Sequence, residues 1–422
     1  MRYQRPRGTQ DILPDQMPEW LLAENTFRRL CHSFGYGEIR TPIFEDTDLF
    51  VRSVGEDTDI VSKEMYTFED RGGRSLTLRP EGTAPVVRAF IEDNLQGPDR
   101  ERIVKLCYIA PIFRYDRPQA GRYRQHHQAG VEALGSMAPG LDAEVIHLAM
   151  TLYTALGITK VSLLINSVGC PVCRPVYVVK LREFLAGSRE ELCDDCRRRY
   201  ETNTLRVLDC KVESCRRLTD GAPKQVDELC DECAEHFAAV QEHLKVLGIG
   251  FELQPRIVRG LDYYTKTAFE FVSTGLGSQD AIGGGGRYDG LVEQCGGPPT
   301  PAVGLGIGLE RVLLARRALG QAASQEPREG VFVVAVGDEA WLPAFALSGE
   351  LRAAGITADL DYRRRSLRAQ MRHADAAGFR WAAILGEEEL AKGTVALRDL
   401  ASGEQQELNR GDLVAHCRNA DG

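Results

Sequence analysis

Eight of the twelve cysteines fall between Cys170 and Cys233, while Cys31, Cys107, Cys295 and Cys417 are scattered through the rest of the chain. This distribution is the strongest constraint on the fold, because it marks one stretch as chemically unlike its flanks. A disulfide framework would spread paired cysteines along the whole chain and would need a secretory route. The first thirty residues instead mix Arg2, Arg5, Arg7, Asp11, Asp15 and Glu19 with apolar positions, so no signal peptide is expected. No run approaches the length of a membrane span. A reducing, cytoplasmic setting is expected, in which clustered cysteines hold metal or stay as thiols.

The flanks of this stretch have their own rhythm. Over residues 18–34, Trp20, Leu21, Phe27, Leu30, Cys31 and Phe34 recur at helical spacing, and Gly35 and Gly37 supply a stop. Short β-prone stretches at 102–113, 161–165 and 269–273 are separated by turn-rich segments, which predicts a mixed, largely antiparallel sheet. The charged residues 169–249 interrupt that pattern as an inserted subdomain. Residues 320–329, rich in Gln, Ala, Ser, Glu and Pro, read as a linker. Beyond them, a continuous apolar run at 331–336 opens alternating strand-like and helix-like stretches, the pattern of a compact α/β domain over 330–422. Residues 1–168 and 250–319 then form the main body, and 422 residues at 43% apolar composition suffice for two or three cores. A net charge of -9 argues against an indiscriminate nucleic-acid coat, yet leaves room for local basic patches.

The densest chemical signal runs from Phe113 to Gln128. An apolar strand enters a loop holding Arg114, Arg117, Arg122 and Arg124, then returns through polar residues at alternating positions. Guanidinium forks match phosphate oxygens, so the loop is either a phosphate grip or a solvated hairpin tip. In Leu78-Arg79-Pro80-Glu81-Gly82-Thr83, an extended backbone would put the Glu81 carboxylate and Thr83 hydroxyl on one face, fit for an amino group. Val258-Arg259-Gly260-Leu261-Asp262-Tyr263-Tyr264-Thr265 is a core edge or the polar lining of a pocket. The run Gly283–Gly286 before Arg287 and Tyr288 reads as a flexible loop or a close backbone approach to a ligand, and it fits neither common phosphate fingerprint. Gly304-Leu305-Gly306-Ile307-Gly308-Leu309-Glu310-Arg311 is expected to open an apolar helix, with Arg311 reaching a phosphate or solvated. Among the cysteines, Cys170-x2-Cys173 with Cys193-x2-Cys196 fits one zinc site, and Cys210-x4-Cys215 with Cys230-x2-Cys233 a second; packed thiols are the alternative.

Together these motifs resemble the histidyl-tRNA synthetases, a class II aminoacyl-tRNA synthetase family, over essentially the whole chain. The resemblance is carried by Arg7-Gly8-Thr9-Gln10-Asp11-Ile12-Leu13-Pro14, Ile39-Arg40-Thr41-Pro42 and the arginine loop. Arg259-Gly260-Leu261-Asp262-Tyr263-Tyr264 and Gly285-Gly286-Arg287-Tyr288-Asp289-Gly290-Leu291 complete it. It implies an α+β fold: a six-stranded antiparallel sheet with flanking helices, an inserted subdomain, a C-terminal α/β anticodon-binding domain, and a homodimer with Pro42 near its interface. The implied activity joins histidine to ATP as histidyl-adenylate and passes it to the 3′-terminal adenosine of tRNA(His).

The resemblance also assigns roles. Glu81, Thr83, Gln128 and Arg259 match positions that hold the amino and carboxylate ends of histidine, while Glu132, Tyr263, Tyr264 and Tyr288 match the pocket around its imidazole. A neutral imidazole has one donor and one acceptor, and buried polar groups that meet both would reject apolar look-alikes. Arg114 matches the arginine on the α-phosphate, Arg122 and Arg311 match residues holding the rest of ATP, and Arg259 resembles a second α-phosphate arginine. Arg114, Arg259 and Arg311 are the expected catalytic groups, with Mg2+ on the leaving phosphates. Gln119 and Arg124 match positions that meet the acceptor end of tRNA, and no general base for the transfer step stands out. In the last domain Arg363, Arg364, Arg365, Arg368 and Arg372 are tRNA-facing or simply solvated. A zinc-held insertion would present Arg197, Arg198, Arg199 and Lys211 toward tRNA. The rival reading is a histidine-sensing regulatory subunit of ATP phosphoribosyltransferase, which would bind histidine without charging tRNA.

Overall fold

The computed structural model describes residues 3–55, 58–98, 102–258, 260–273, 280–321 and 328–420. The chain divides into two compact units, Met1–Ala322 and Ala323–Gly422.

The larger unit is built on an eight-stranded sheet. Six central strands run antiparallel in the order β5 (Val104–Phe113), β6 (Gln125–Leu134), β11 (Ala302–Gly308), β10 (Ala281–Arg287), β9 (Thr265–Ser273) and β7 (Val161–Ser167). The two-residue strands β1 (Gly37–Glu38) and β8 (Glu252–Leu253) pair in parallel at the edges. Edges this short offer little template for pairing with another chain. The expected six-stranded antiparallel sheet is therefore present, with two short strands added.

One face of the sheet buries its side chains under helices. Ala129, Val131 and Ala133 of β6, Val303, Leu305 and Ile307 of β11, and Phe269 and Phe271 of β9 share a core with four helices: Met17–Ser33, Pro139–Ala155, Asp231–Val246 and Leu309–Ala318. Because strand side chains alternate, Gln128 and Glu132 of β6 point to the opposite face. That face carries the chemistry.

Two expectations change here. The four glycines before Arg287 are not a loop; they lie within β10, paired on both sides. Likewise residues 302–308 form a strand, and the helix begins only at Leu309. The reason is the period: Val303, Leu305 and Ile307 alternate with glycines at every second residue, which buries one face of a strand and leaves a helix no apolar stripe.

A smaller sheet in the same unit has the order β2 (Phe44–Asp46), β4 (Ser75–Leu78) and β3 (Tyr66–Glu69). Within the cysteine-rich segment the helices Cys173–Ala186, Asp194–Thr202 and Glu213–Leu218 enclose their own core of Tyr177, Leu181, Leu185, Leu192, Val207 and Leu208. The last helix of the segment, Asp231–Val246, leaves this core and packs Phe237, Val240 and Leu244 into the main body.

The smaller unit holds a five-stranded sheet in the order β13 (Ala358–Leu360), β12 (Glu329–Ala335), β14 (Phe379–Leu385), β15 (Thr394–Asp399) and β16 (Gln405–Asn409). The first three are parallel and the last two antiparallel. Val331 and Val333 pack into one cluster and Phe332 and Val334 into another, so β12 is buried on both faces, as its continuous apolar run requires. No helix among the described residues is long and apolar enough to cross a membrane.

Candidate active site

A cavity of about 490 Å³ lies on the side of the main sheet not covered by the helical core, within the size range of small-molecule sites. Arg114, Arg122 and Arg311 line it together with Glu81, Thr83, Gln128, Tyr263, Tyr264 and Tyr288. Residues far apart in sequence thus converge on one space.

The arginines come from two elements. Arg114 follows β5 directly, and its Nε donates to the Pro80 carbonyl at 2.6 Å. Arg122 pairs with Asp116 inside the loop, where the backbone bridge between Gln119 and Arg122 closes a hairpin tip. The loop is thus a hairpin, and its Arg114 and Arg122 face the cavity. Arg311 stands in the first turn of the helix Leu309–Ala318, donating to the Gly121 carbonyl at 3.0 Å and the Ala281 carbonyl at 2.7 Å. Burial lowers its pKa, and the neighbouring charges of Arg122 and Arg114 lower it further. Arg114, Arg122 and Arg311 gather by the N-terminus of this helix, a corner suited to an anion, and Asp116, Glu270, Asp280 and Glu310 line the cavity with them.

His126 sits beside them and is half-buried. Burial, Arg114 and Arg311 push it down to about 3, so it is a neutral imidazole at pH 7. His127 points to the other face, where its backbone N–H and Nδ1 meet Glu310 at 2.9 and 3.0 Å.

The other part of the site is a set of phenols and carboxylates. Tyr263, Tyr264 and Tyr288 are buried, with ring centroids 4.8 Å apart for Tyr263 and Tyr264 and 5.6 Å for Tyr263 and Tyr288. Glu132 does not line the cavity but lies fully buried behind it. Its carboxylate accepts hydrogen bonds from Thr83 Oγ1 at 2.8 Å, Tyr108 Oη at 3.2 Å, and Tyr288 Oη. Burial outweighs these donors and raises Glu132 to about 8. Two glycines make room for the arrangement: a Cβ on Gly304 would lie 1.8 Å from Glu132 Oε2, and one on Gly306 would lie 2.1 Å from Gln128 Nε2.

Glu81 and Thr83 do not share an extended face as expected. β4 ends at Leu78 and a helix starts at Thr83. Glu81 turns its carboxylate onto the first helical N–H groups, accepting from Thr83 at 2.7 Å and Ala84 at 2.8 Å. A side chain that caps a helix this way needs a turn, which Pro80 and Gly82 supply.

Other expected residues lie elsewhere. Arg259 is outside the described residues. Gln119 is exposed, and Arg124 stacks its guanidinium 3.9 Å from the centroid of the Tyr115 ring; neither lines the cavity. In the smaller unit Arg363, Arg368 and Arg372 are exposed, Arg364 lies 3.6 Å from Asp338, and Arg365 is held by Asp361 at 2.9 Å. Arg199 does not face outward: it reaches Asp59 of the main body at 2.6 Å, while Arg197 and Arg198 pair with Asp194 and Asp195. The cysteines also group otherwise than by order along the chain. Cys170 and Cys173 meet Cys230 and Cys233, whereas Cys193 and Cys196 meet Cys210 and Cys215. A pair at the start of the segment finds a partner at its end, because the helix Asp231–Val246 returns the chain to the main body.

Sequence reasoning missed Tyr108, His126, Asp209 and Glu310, and it expected Lys211 to face tRNA, whereas Lys211 lines the cavity. For His126 the signal was available, since it shares the period-2 face of Gln128. Arg287 of the Gly-Gly-Arg-Tyr run proves structural, fully buried and paired with Asp142, also fully buried.

The family model for histidyl-tRNA synthetase matches residues 8–172 and 191–312, and that for an anticodon binding domain matches 330–420. The histidine–tRNA ligase of Moorella thermoacetica is 56% identical over 98% of this chain and 97% of its own length. That of Pelotomaculum thermopropionicum is 53% identical over the same shares. A crystal structure of apo Staphylococcus aureus histidyl-tRNA synthetase superimposes with a TM-score of 0.83 at 38% identity, covering 98% of this chain and 99% of that one. An arginine-rich cavity backed by phenols on an antiparallel sheet, followed by a separate α/β unit, thus coincides with matches along nearly the whole length, and the chain belongs to the histidyl-tRNA synthetase family.

Proposed function

We propose that this chain is a histidine–tRNA ligase, and that the cavity shared by Arg114, Arg122, Arg311 and the tyrosines is where it activates histidine. The observation that carries the reading is this convergence of a cationic corner with a polar, phenol-lined pocket. One end suits a triphosphate and the other an imidazole.

In the first step the histidine carboxylate attacks the α-phosphorus of ATP in line, the bond to the β-phosphate oxygen breaks, and pyrophosphate leaves. The protein's part is orientation and fixed positive charge. Arg114 and Arg259 hold the α-phosphate, while Arg122 and Arg311 hold the remaining phosphates and the nucleotide. Gln128, Glu81 and Thr83 receive the amino and carboxylate ends of histidine. Tyr263, Tyr264 and Tyr288 surround the ring, and Glu132 acts from behind by fixing Thr83 and Tyr288. In the second step a ribose hydroxyl of the terminal adenosine of tRNA(His) attacks the carbonyl carbon of the adenylate, and AMP leaves. Gln119 and Arg124, on the hairpin tip beyond the cavity, are suited to that acceptor end. Mg2+ supplies charge neutralisation on the β- and γ-phosphates, and zinc is the metal that the thiolate sets suit.

The domains follow the same reading. Residues 1–168 and 250–319 form the catalytic domain, 169–249 the insertion, 320–329 the linker, and 330–422 the anticodon-binding domain. A cytoplasmic homodimer fits as well: Ile43, Phe44 and Phe68 are 47%, 49% and 44% exposed around the small sheet beside Pro42, an apolar patch that a second copy would cover. The regulatory-subunit reading is not favoured, because relatives named histidine–tRNA ligase match at 53–56% identity over nearly the full chain.

Pyrophosphate exchange into ATP, run with each amino acid in turn, tests the function. Exchange with histidine alone is expected. Histidine binding without exchange would overturn the reading in favour of a sensor.

A further inference from the structure

The two cysteine sets have the geometry of metal sites. All four Sγ atoms of Cys170, Cys173, Cys230 and Cys233 lie within 4.8 Å of one another, as do those of Cys193, Cys196, Cys210 and Cys215. Cys170 Sγ is 3.8 Å from Cys173 Sγ and 3.7 Å from Cys230 Sγ, and Cys193 Sγ is 3.9 Å from Cys210 Sγ. Four thiolates about 2.3 Å from a central zinc ion place neighbouring sulfurs about 3.8 Å apart, whereas a disulfide draws two sulfurs to about 2.05 Å. Backbone N–H groups also point at sulfur, from Cys170 to Cys173 Sγ at 3.3 Å, Val172 to Cys170 Sγ at 3.4 Å and Cys193 to Cys215 Sγ at 3.2 Å. Such donors stabilise the charge of a metal-bound thiolate.

The second set also touches the reaction cavity through its neighbours. Cys210 stands between Asp209 and Lys211, and both of those line the cavity. A ligand bond at Cys210 fixes the backbone on either side of it. Lys211 is otherwise tied down only loosely, its side chain 87% exposed and its ammonium 3.1 Å from Asp209. The body that carries this set is docked beside the tyrosines. Asn203 donates to Asp262 at 2.7 Å, and Arg206 donates to the Gly260 carbonyl at 3.1 Å.

We propose that the chain holds two structural zinc ions in these nested tetrathiolate sites, and that the Cys193, Cys196, Cys210 and Cys215 site positions Lys211 as a further cation for the phosphates of ATP. The second half rests on the cavity being the ATP site. The first half does not.

Elemental analysis and X-ray absorption on the reduced, full-length protein are expected to give two zinc ions per chain, each with four sulfur ligands. One zinc or none, or nitrogen and oxygen ligands, would overturn the proposal. Replacing Cys193, Cys196, Cys210 and Cys215 together by serine is expected to leave one zinc. Grouping in chain order would instead cost both. Lys211→Ala is expected to keep both zinc ions and the KM for histidine, while raising the KM for ATP about three- to tenfold, as loss of one charge-assisted phosphate contact should. An unchanged KM for ATP would remove Lys211 from the site. Absence of histidine-dependent exchange in the wild type would sink the cavity assignment, and the zinc count would still decide the metal sites.

Discussion

Gly304→Ala adds one methyl group at the tightest point of the pocket. The new Cβ would lie 1.8 Å from Glu132 Oε2 and 2.8 Å from the Val131 carbonyl oxygen. Backbone in the middle of β11 cannot retreat, since Gly304 pairs with Glu132 on one side and Gly286 on the other. The carboxylate must therefore move by about an ångström, which overpacking of a dense interior makes costly, at about 1–3 kcal/mol. Moving it breaks the bond from Tyr288 and disturbs that from Thr83, leaving buried polar groups unpaired for a further 1–3 kcal/mol or so. Tyr288 and Thr83 both line the cavity, so the variant is expected to raise the KM for histidine at least about tenfold, each factor of ten being about 1.4 kcal/mol. Its KM for ATP should hardly change, because the arginines lie in a separate group of contacts. Pyrophosphate exchange with each substrate varied in turn reads both constants. A wild-type KM for histidine, or equal rises for both substrates, would refute the assignment of Glu132 to the amino-acid end.

Four further outcomes follow from the same geometry. Glu132 is raised from an ordinary 4.5 to about 8, so the folded protein holds a proton there that the unfolded chain gives up. Stability from this group is full at low pH and is lost as pH rises toward 8. The unfolding free energy from urea titrations should therefore fall between pH 5.5 and 7.5 by about 2 kcal/mol more in the wild type than in Glu132→Gln, and parallel curves would contradict this. Arg311→Ala should lower histidine-dependent exchange by about 10²-fold, whereas Arg124→Ala should leave exchange intact and slow only transfer to tRNA in a single-turnover assay. Arg287→Ala takes the guanidinium from the fully buried Asp142 and leaves it the His236 ring at 3.3 Å, and thermal or urea unfolding should show a loss of about 3–5 kcal/mol. A mild effect would mean that His236 carries the charge of Asp142 alone.

What the sequence made legible were features with a local physical signature. The helix over Met17–Ser33 followed from its apolar spacing, the β12 strand from its unbroken apolar run, and the arginine loop from its charge density. Residues 302–308 misled because a string of glycines looks like a helix entrance until the buried Val303, Leu305 and Ile307 are read at period 2. The cysteine pairing was not readable from spacing alone. Each two-cysteine unit fits either partner, and only the return of the helix Asp231–Val246 to the main body decides which one it meets. Glu132 shows the same limit at the site, since its distance behind the cavity depends on Gly304, a residue on another strand.

Whether one cavity binds the phosphates and the imidazole side by side is read directly from a crystal structure of the protein with a non-hydrolysable histidyl-adenylate analogue. The α-phosphate mimic is expected within hydrogen-bond reach of Arg114, with the imidazole among Tyr263, Tyr264 and Tyr288. An analogue seated elsewhere, or with its ring directed away from those tyrosines, would contradict the account.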